Sequence, residues 1–227
     1  LPGLQLHGVY THYSSVEDDP AYSRRQAVEF TQLVARARAR GIEIPLVHAN
    51  SSGALLLQPD TMFNLIRPGL VVYGVAPRGE RPQASDLPQQ VRAALSFKCR
   101  VSLVKTVAAG KGLSYGHTFV SPAPMRVATL TAGYGDGYLR AASNRASVLI
   151  RGRRCRVLGR VTMDQTIVDV SGVSDAAEGD EAVLIGRQGN DEITATELAQ
   201  WMGTIPWEVL TCITYRVPRL YLGGHAS

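Results

Sequence analysis

The segment at residues 77–88 constrains this chain most, because the hydrophobic patterning differs in kind on its two sides. It contains three prolines and one glycine among polar residues, a composition typical of a linker. Before it, strand-like apolar runs alternate with helical periodicity, and after it short strand-like runs follow one another. A chain of 227 residues exceeds a typical single domain, so we predict two domains, residues 1–88 and residues 89–227.

The first domain shows strand and helix patterns in alternation. Strands are predicted at residues 4–12, 44–48 and 63–67, and a helix at residues 21–40. The residues predicted to share the inner face of that helix are Tyr22, Val28, Phe30, Leu33, Val34 and Ala37. Residues 50–53 are predicted to cap a short helix that runs toward Gln58. This alternation predicts a parallel sheet whose functional residues lie at the carboxyl ends of its strands.

The second domain is predicted to be all-β apart from one helix. Strands are predicted at residues 91–107, 126–130, 147–150, 156–160, 165–170, 181–186 and 208–222. The helix is predicted to begin at Thr194, which forms a capping box with Glu197, and to end at Gly203. Residues 148–158 predict a hairpin that turns at Gly152.

Composition excludes several classes of function. The formal net charge is +5, but the dense arginine cluster at residues 151–156 has no interleaved aromatic residues, which favours a solvated hairpin rim over nucleic-acid binding. No apolar run approaches the ~20 residues of a membrane span. Three dispersed cysteines indicate a reducing compartment, the cytoplasm, and argue against a metal site or a disulfide framework.

Tyr115 is the first candidate for chemistry. It stands between Ser114 and Gly116 in a glycine-rich turn after a predicted strand, and loop tips on rigid scaffolds often carry functional side chains. A tyrosine hydroxyl titrates near pH 10, so Tyr115 acts as a base only where cations or hydrogen-bond donors favour its ionised form. A tyrosine that merely packs at a turn is the alternative interpretation.

Seven motifs in a fixed order carry a resemblance to a known family. They are Tyr10-Thr-His-Tyr13, His48-Ala-Asn-Ser51, Asn64-Leu-Ile-Arg-Pro-Gly69, Leu113-Ser-Tyr-Gly116, Gly133-Tyr-Gly-Asp-Gly-Tyr138, Gly159-Arg-Val-Thr-Met-Asp-Gln165 and Thr214-Tyr-Arg-Val-Pro-Arg219. Together they resemble the pyridoxal-phosphate-dependent alanine racemase family. The resemblance implies the second half of a (β/α)8 TIM-type barrel followed by a β-strand-rich C-terminal domain. It also implies two-base interconversion of L- and D-alanine, which supplies D-alanine for peptidoglycan.

The resemblance assigns pyridoxal 5'-phosphate to the first domain. The residues expected around its phosphate are Asn50, Ser51, Gly69, Leu70 and Tyr215. His12 is expected against the pyridine ring, within reach of Arg67 and Tyr115, and Arg67 against the pyridine nitrogen. Arginine only donates hydrogen bonds, so it disfavours protonation of that nitrogen. The alternatives are a plain helix cap for Asn50 and Ser51, and a strand-end arginine paired with a surface carboxylate.

The resemblance assigns the remaining roles to the second domain. Tyr115 corresponds to the base on one face of the substrate, and cationic His12 and Arg67 would ease its ionisation. The backbone amide of Met163, in a segment continued by Asp164, meets the substrate carboxylate, and Tyr134 narrows the entrance. In this family these segments reach the cofactor of the opposite subunit, so a homodimer is implied.

The family's cofactor-binding lysine has no match here. Lysine occurs only at positions 98, 105 and 111, and the chain begins without methionine. We therefore expect the carboxy-terminal portion of a racemase that needs a further amino-terminal half-barrel, omitted or present as a separate chain. Alone, the chain is expected to be inactive and to associate through the open strand edges of residues 4–75.

Three other functions remain open from sequence. A barrel-type amino-acid decarboxylase would place a carboxylate where Arg67 stands. A serine or broad-spectrum racemase of the same family would keep all seven motifs. A non-catalytic binding module gains weight because the lysine is absent.

Overall fold

The structure, a computed structural model, describes residues 3–76 and 91–223 of the chain. It divides into two compact units, Leu1–Ala94 and Leu95–Ser227. The predicted linker at residues 77–88 lies outside the described residues, so the domain boundary at residue 88 stays a prediction. No helix in the two described ranges is long and apolar enough to cross a membrane.

Two parallel strands form the sheet of the first unit. They are β1 (Gly8–Tyr10) and β2 (Leu46–His48), paired from Gly8 with Leu46 to Tyr10 with His48. Gly8 permits this close pairing, because a Cβ at that position would lie 2.7 Å from the Leu46 carbonyl oxygen. Both predicted strands are present but shorter than their apolar runs.

The third predicted strand, at residues 63–67, is reduced to a single parallel bridge between His48 and Leu65. The side chain of Asn64 explains the difference. Its Oδ1 accepts from the Val47 amide at 2.7 Å, and its Nδ2 donates to the Pro45 carbonyl at 2.7 Å. One side-chain amide thus takes the place of the backbone ladder along β2, so the strand prediction was wrong in extent.

Helix α1 (Pro20–Ala39) begins and ends where its sequence signals predict. Asp19 caps it by accepting from the Tyr22 amide at 2.9 Å, and Gly41 follows it with a positive φ. Its inner stripe is narrower than predicted: Phe30 and Val34 are buried against Ile44 and Val47 in one cluster.

The predicted inner face of α1 was too wide. Tyr22, Val28 and Leu33 are 48%, 57% and 48% exposed. At 3.6 residues per turn, Val28 lies about 160° around the helix from Phe30. Tyr22 and Leu33 flank the buried stripe and face solvent, so these three assignments are corrected.

The second unit contains one large antiparallel sheet. Its strands, with a separate hairpin, are β3 (Phe97–Val107), β4 (Gly112–Leu113), β5 (Phe119–Val120), β6 (Met125–Leu130), β7 (Ser147–Ile150), β8 (Arg153–Arg156), β9 (Thr166–Asp169), β10 (Glu181–Gln188) and β11 (Asp191–Ile193). The seven-stranded sheet has the order β8-β7-β10-β3-β6-β9, with β11 added to β10, while β4 pairs with β5. The predicted strands at residues 126–130, 147–150, 165–170 and 181–186 are confirmed within two residues at each end.

The hairpin of β7 and β8 turns at Arg151 and Gly152, as predicted, with φ values of 51° and 72°. Two consecutive positive φ values suit the tight turn that matches strand twist. That turn pairs Ile150 with Arg153, and the pairing continues to Ser147 with Arg156. The second strand therefore ends at Arg156, and the strand predicted at residues 156–160 was wrong.

Two arginines of this hairpin face carboxylates of their own chain. Arg151 pairs with Asp175 and Asp180, and Arg154 pairs with Asp191 and Glu197. Their hydrogen bonds lower the pKa of Asp180 and of Asp191. Part of the positive charge of the cluster is therefore neutralised within the chain.

Two helices follow β11. In α3 (Ala195–Met202), Thr194 Oγ1 accepts from the Glu197 amide at 3.0 Å and Gly203 ends the helix at φ 70°, which confirms the predicted start and end. The predicted capping box is only half formed, because the Glu197 carboxylate pairs with Arg154. The strand predicted at residues 208–222 is wrong: α4 (Pro206–Cys212) occupies its beginning. Proline at the first helical position is pre-organised for a helix, and this local signal outweighs the apolar run.

Candidate active site

Arg67 organises the carboxyl ends of β1 and β2. Its Nη1 lies 2.5 Å from His48 Nδ1, and its Nη2 lies 3.1 Å from His12 Nδ1. Nη2 also lies 3.2 Å from the carbonyl oxygens of Thr11 and Ala49. Parallel strands end at one edge of a sheet, so residues distant in sequence converge here. The structure thus brings together two of the predicted site residues, His12 and Arg67.

The histidine closest to Arg67 is neutral. A guanidinium has no acceptor, so His48 Nδ1 accepts from Arg67 and the ring carries its proton on Nε2. Burial, and then the positive charge of Arg67, lowers the pKa of His48. His12 Nδ1 lies beside Nη2 of the same guanidinium, and the predicted charge of His12 stays a prediction.

Sequence reasoning missed the part that His48 plays. Its ring stacks on Tyr10 at 5.1 Å with a 9° interplanar angle, and the Arg67 guanidinium lies 5.2 Å from the Tyr10 ring centre. The sequence did contain a signal for His48, namely its position at the end of β2, which corresponds to the position of His12 shortly after β1. Tyr10 and His48 hold the guanidinium between an aromatic face and an acceptor nitrogen.

We expect the Arg67–His48 contact to weaken in acid. The pKa of His48 is below its ordinary value of 6.5 in the folded chain, so the unfolded chain binds the proton more readily. Stability is therefore fully present above pH 6.5 and falls as the pH drops below that value. The thermal midpoint of the wild type should fall more between pH 7.5 and pH 5 than that of His48→Gln, whose amide oxygen accepts without titrating. Parallel midpoint curves for the two proteins would contradict this assignment.

A second cluster lies where β2 leads into α2 (Ser52–Leu57). Ser51 occupies the N-cap position, but its hydroxyl makes no capping hydrogen bond, so the predicted side-chain cap does not form. Ser52, which sequence reasoning did not select, accepts from the amides of Gly69 and Val71 at 2.9 and 3.2 Å. Ser52 therefore joins the start of α2 to the short helical turn Leu70–Tyr73.

This cluster fits a phosphate group in part. The first amides of α2 and of the Leu70 turn have no partner within their helices, and the Ser51 hydroxyl is uncommitted. Gly69 leaves open space, with no atom within 4 Å of a Cβ built there. Asn50 is fully buried and its Oδ1 has no partner, but an acceptor does not suit a phosphate oxygen. The Oδ1 atom of Asn50 therefore suits a hydrogen-bond donor rather than a phosphate oxygen.

The Tyr115 turn of the second unit is strained. Ser114 has φ 60° and ψ −174°, a region that residues other than glycine rarely adopt, and His117 has φ 46°. The Ser114 hydroxyl donates to the Arg160 carbonyl at 2.6 Å. Gly159 allows the approach, because a Cβ there would lie 2.6 Å from the Leu113 carbonyl oxygen. The turn presents Tyr115 with 72% of its surface exposed.

We expect the strain at Ser114 to appear in a pair of variants. Ser114→Ala and Ser114→Gly both remove the hydrogen bond to Arg160, but glycine alone relieves backbone strain of about 1–3 kcal/mol. Thermal unfolding should therefore rank Ser114→Gly above Ser114→Ala in stability. At Ser147, a strand position with regular pairing, the order should reverse, because glycine within a strand costs about 0.5–1 kcal/mol relative to alanine. The same order at both positions would refute the strain.

The Tyr134 and Met163 turns are hydrogen-bonded to each other. The amides of Tyr134 and Gly135 donate to the carbonyls of Thr162 and Met163, both at 2.9 Å. Gly133 allows this contact, because a Cβ there would lie 2.2 Å from the Thr162 carbonyl oxygen. The side chains of Tyr134 and Met163 are 39% and 51% exposed.

Tyr215 lies on a segment attached to the same surface. Thr214 Oγ1 donates to the Gly135 carbonyl at 2.8 Å, and Tyr215 itself is 98% exposed. Arg219 donates to the carbonyls of Ile213, Thr214 and Val217 and holds the segment in an irregular turn. The second unit therefore presents Tyr134, Met163 and Tyr215 from connected loops.

Other reactive side chains have structural surroundings. Burial raises the pKa values of Cys99 and Cys155 to about 12, so both thiols stay protonated at neutral pH. Lys98 pairs with Glu181 at 2.9 Å. Among the residues that the structure describes, no three His, Cys, Asp or Glu side chains gather as they would around a metal ion.

A parallel α/β unit with polar side chains at its strand ends, followed by a β-rich unit with tyrosines on its loops, defines a two-unit protein of the α/β-plus-β class. The alanine racemase N-terminal domain matches residues 1–77, and the alanine racemase C-terminal domain matches residues 94–221. The chain belongs to the alanine racemase family.

Known relatives agree with this assignment. The alanine racemase of Carboxydothermus hydrogenoformans is 42% identical over 98% of this chain and 60% of its own length. The crystal structure from Streptomyces lavendulae has a TM-score of 0.87 at 40% identity, covering 97% of this chain and 57% of that one. A structure from Bartonella henselae with covalently bound pyridoxal phosphate has a TM-score of 0.81 at 28% identity, covering 94% and 56%.

These neighbours confirm the predicted fold class, part of a TIM-type barrel followed by a β-rich C-terminal domain. The chain spans 60% of the length of the first relative and 57% of the Streptomyces structure.

Proposed function

We propose that this chain forms part of a cytoplasmic, pyridoxal-phosphate-dependent alanine racemase that supplies D-alanine for the cell wall. The observation that carries the proposal is the surroundings of Arg67, whose guanidinium contacts two imidazole nitrogens and two carbonyl oxygens. A guanidinium held by acceptors, without a carboxylate among them, keeps its full charge toward a ligand. This favours a racemase over a decarboxylase with a carboxylate in this position.

The first unit would hold the cofactor. Ser51, the first amides of α2 and the amide of Leu70 would bind its phosphate, and the hydroxyl of Tyr215 would donate to the same group. Arg67 would donate to the pyridine nitrogen and keep it unprotonated, while His12 would lie against the ring. The cofactor, when bound, supplies an electron-accepting ring beside the substrate.

The protein groups would move one proton on each face of the substrate. Tyr115 Oη would take or return the proton on one face. The opposite face requires a second base, which a lysine commonly supplies in pyridoxal chemistry. Residues 1–94 contain no lysine. We therefore assign that lysine to a further half-barrel segment outside these 227 residues.

The second unit would complete the site across a homodimer. The backbone amide of Met163, in the segment continued by Asp164, would meet the carboxylate of a small amino acid, and Tyr134 would narrow the entrance. Their exposure and their interconnected turns support this role, because exposed apolar side chains on rigid loops are suited to covering another surface.

A completed polypeptide tests the proposal. In it the chain is joined to, or co-expressed with, the amino-terminal half of the Carboxydothermus hydrogenoformans relative. It should interconvert L- and D-alanine and exchange the α-hydrogen of alanine with D2O. Borohydride should attach pyridoxal phosphate to a lysine of the added half.

Three results would overturn this division of the site. They are racemisation by the 227-residue chain alone, borohydride labelling of Lys98, Lys105 or Lys111, and a folded completed polypeptide that binds the cofactor but exchanges no α-hydrogen. A completed polypeptide carrying Lys98→Arg is the matched control, because Lys98 is paired with Glu181 and should be dispensable.

A further inference from the structure

Arg216 connects two loops that sequence does not place together. Its Nη2 donates to Asp164 Oδ1 at 2.8 Å, and its Nε lies 3.4 Å from Asp136 Oδ1. The two nitrogens of one guanidinium therefore reach carboxylates on two separate turns.

Each partner of Arg216 lies beside a side chain assigned to the site. Asp136 closes the Tyr134 turn, because its Oδ2 accepts from the Gly133 amide at 3.0 Å. Asp164 follows Met163 directly, and Arg216 itself follows Tyr215. Along the sequence, Arg216 and its two partners therefore each lie one or two residues from one of the side chains Tyr215, Tyr134 and Met163.

The guanidinium also packs closely against the Tyr134 turn. A Cβ on Gly135 would lie 2.4 Å from Arg216 Nη1 and 3.0 Å from the Met163 carbonyl oxygen. The Gly135 amide donates to that same carbonyl at 2.9 Å. Glycine at this position therefore leaves room for Arg216 beside the contact between the two turns.

The two ends of the bridge differ in exposure. The side chain of Asp136 is 15% exposed, that of Arg216 is 46% exposed and that of Asp164 is 62% exposed. Exposed ion pairs contribute little to stability, because water and salt screen them. The effect of the bridge should therefore lie in the placement of the loops more than in the free energy of unfolding.

We propose that Arg216 is a positioning residue that holds Tyr134, Met163 and Tyr215 in one arrangement by bridging Asp136 and Asp164. Its catalytic consequence rests on the proposed function, whereas the bridge itself does not. Lysine cannot replace it, because a single ammonium nitrogen cannot take the places of Nε and Nη2.

Hydrogen exchange in the 227-residue chain tests the bridge without activity. Arg216→Ala and Arg216→Lys should both speed exchange at the amides of Tyr134 and Gly135 by about tenfold or more, because the contact between the turns opens more often. Arg187→Ala, which removes another exposed ion pair of the second unit, should leave these two amides unchanged. Unchanged exchange in Arg216→Ala, or full rescue by lysine, would overturn the proposal.

Kinetics in the completed polypeptide test the consequence for catalysis. Both Arg216 variants should raise the KM for alanine by about tenfold with a smaller change in kcat, because the Met163 segment meets the ground-state substrate. Asp164→Asn should do the same, and it serves as a second variant because it changes only an exposed carboxylate. An unaltered KM in all three variants would overturn the role. An inactive wild type would refute the proposed function and leave the exchange result to decide on the bridge.

Discussion

Tyr115→Phe in the completed polypeptide should slow alanine racemisation by about 10²–10⁴-fold, the usual cost of losing a positioned acid–base group. The phenyl ring is retained, so the turn should keep its shape, and only the proton-carrying oxygen is lost. The two enantiomers are equally stable, so kcat/KM must fall equally in both directions. The asymmetry should appear in D2O, where exchange of the α-hydrogen is measured from each enantiomer separately and should be impaired most for one of them.

Tyr221→Phe provides a matched control, because it removes the same hydroxyl from a tyrosine that is 91% exposed and outside the assigned site. It should leave racemisation and exchange unchanged. Equal and small effects of Tyr115→Phe on exchange from both enantiomers would remove Tyr115 from the chemistry. Ser114→Ala and Ser114→Gly then distinguish loss of the Tyr115 hydroxyl from disturbance of its turn. Both variants keep the phenol of Tyr115 and change only the turn that holds it.

The motifs predicted which residues lie close together better than they predicted how those residues are held. His12 and Arg67 were assigned through the family resemblance, and both lie near the ends of predicted strands, which a parallel sheet brings close together. The acceptor role of His48 depends on which atom faces it in space, and only the structure places the Arg67 donor there. Ser52 was missed for the same reason, because its partners at Gly69 and Val71 are 17 and 19 residues away.

The wrong strand predictions have local causes that hydrophobic periodicity does not record. Asn64 substitutes a side-chain amide for a ladder of backbone hydrogen bonds, and no periodicity in residues 63–67 records this. At residues 208–222 the apolar run favoured a strand, but Pro206 favours a helix start and Arg219 holds the following carbonyls in a turn. Capping signals at Thr194 and Gly203 succeeded because they act within a few residues.

Gly133→Ala should strongly damage both the stability of the second unit and catalysis. The backbone at Gly133 has φ −152° and ψ −162°, extended values that any residue can adopt, so space alone decides the outcome. An alanine Cβ would lie 2.2 Å from the Thr162 carbonyl oxygen and 2.6 Å from the Met163 carbonyl carbon. Both are backbone atoms, which cannot rotate away as the end of a side chain can. Overpacking of this kind costs about 1–3 kcal/mol.

The consequence for catalysis follows from what the Gly133 contact joins. If the Tyr134 turn moves away from Thr162 and Met163, the residues assigned to the substrate carboxylate and to the entrance move with it. A displacement of about 1 Å can cost about 10²-fold in rate. Gly172→Ala adds the same methyl in the same unit where no atom lies within 4 Å, and it should leave both the unfolding midpoint and kcat/KM near wild type. If Gly133→Ala matches Gly172→Ala in denaturant unfolding and in racemisation, then the close contact of the two turns does not support the site.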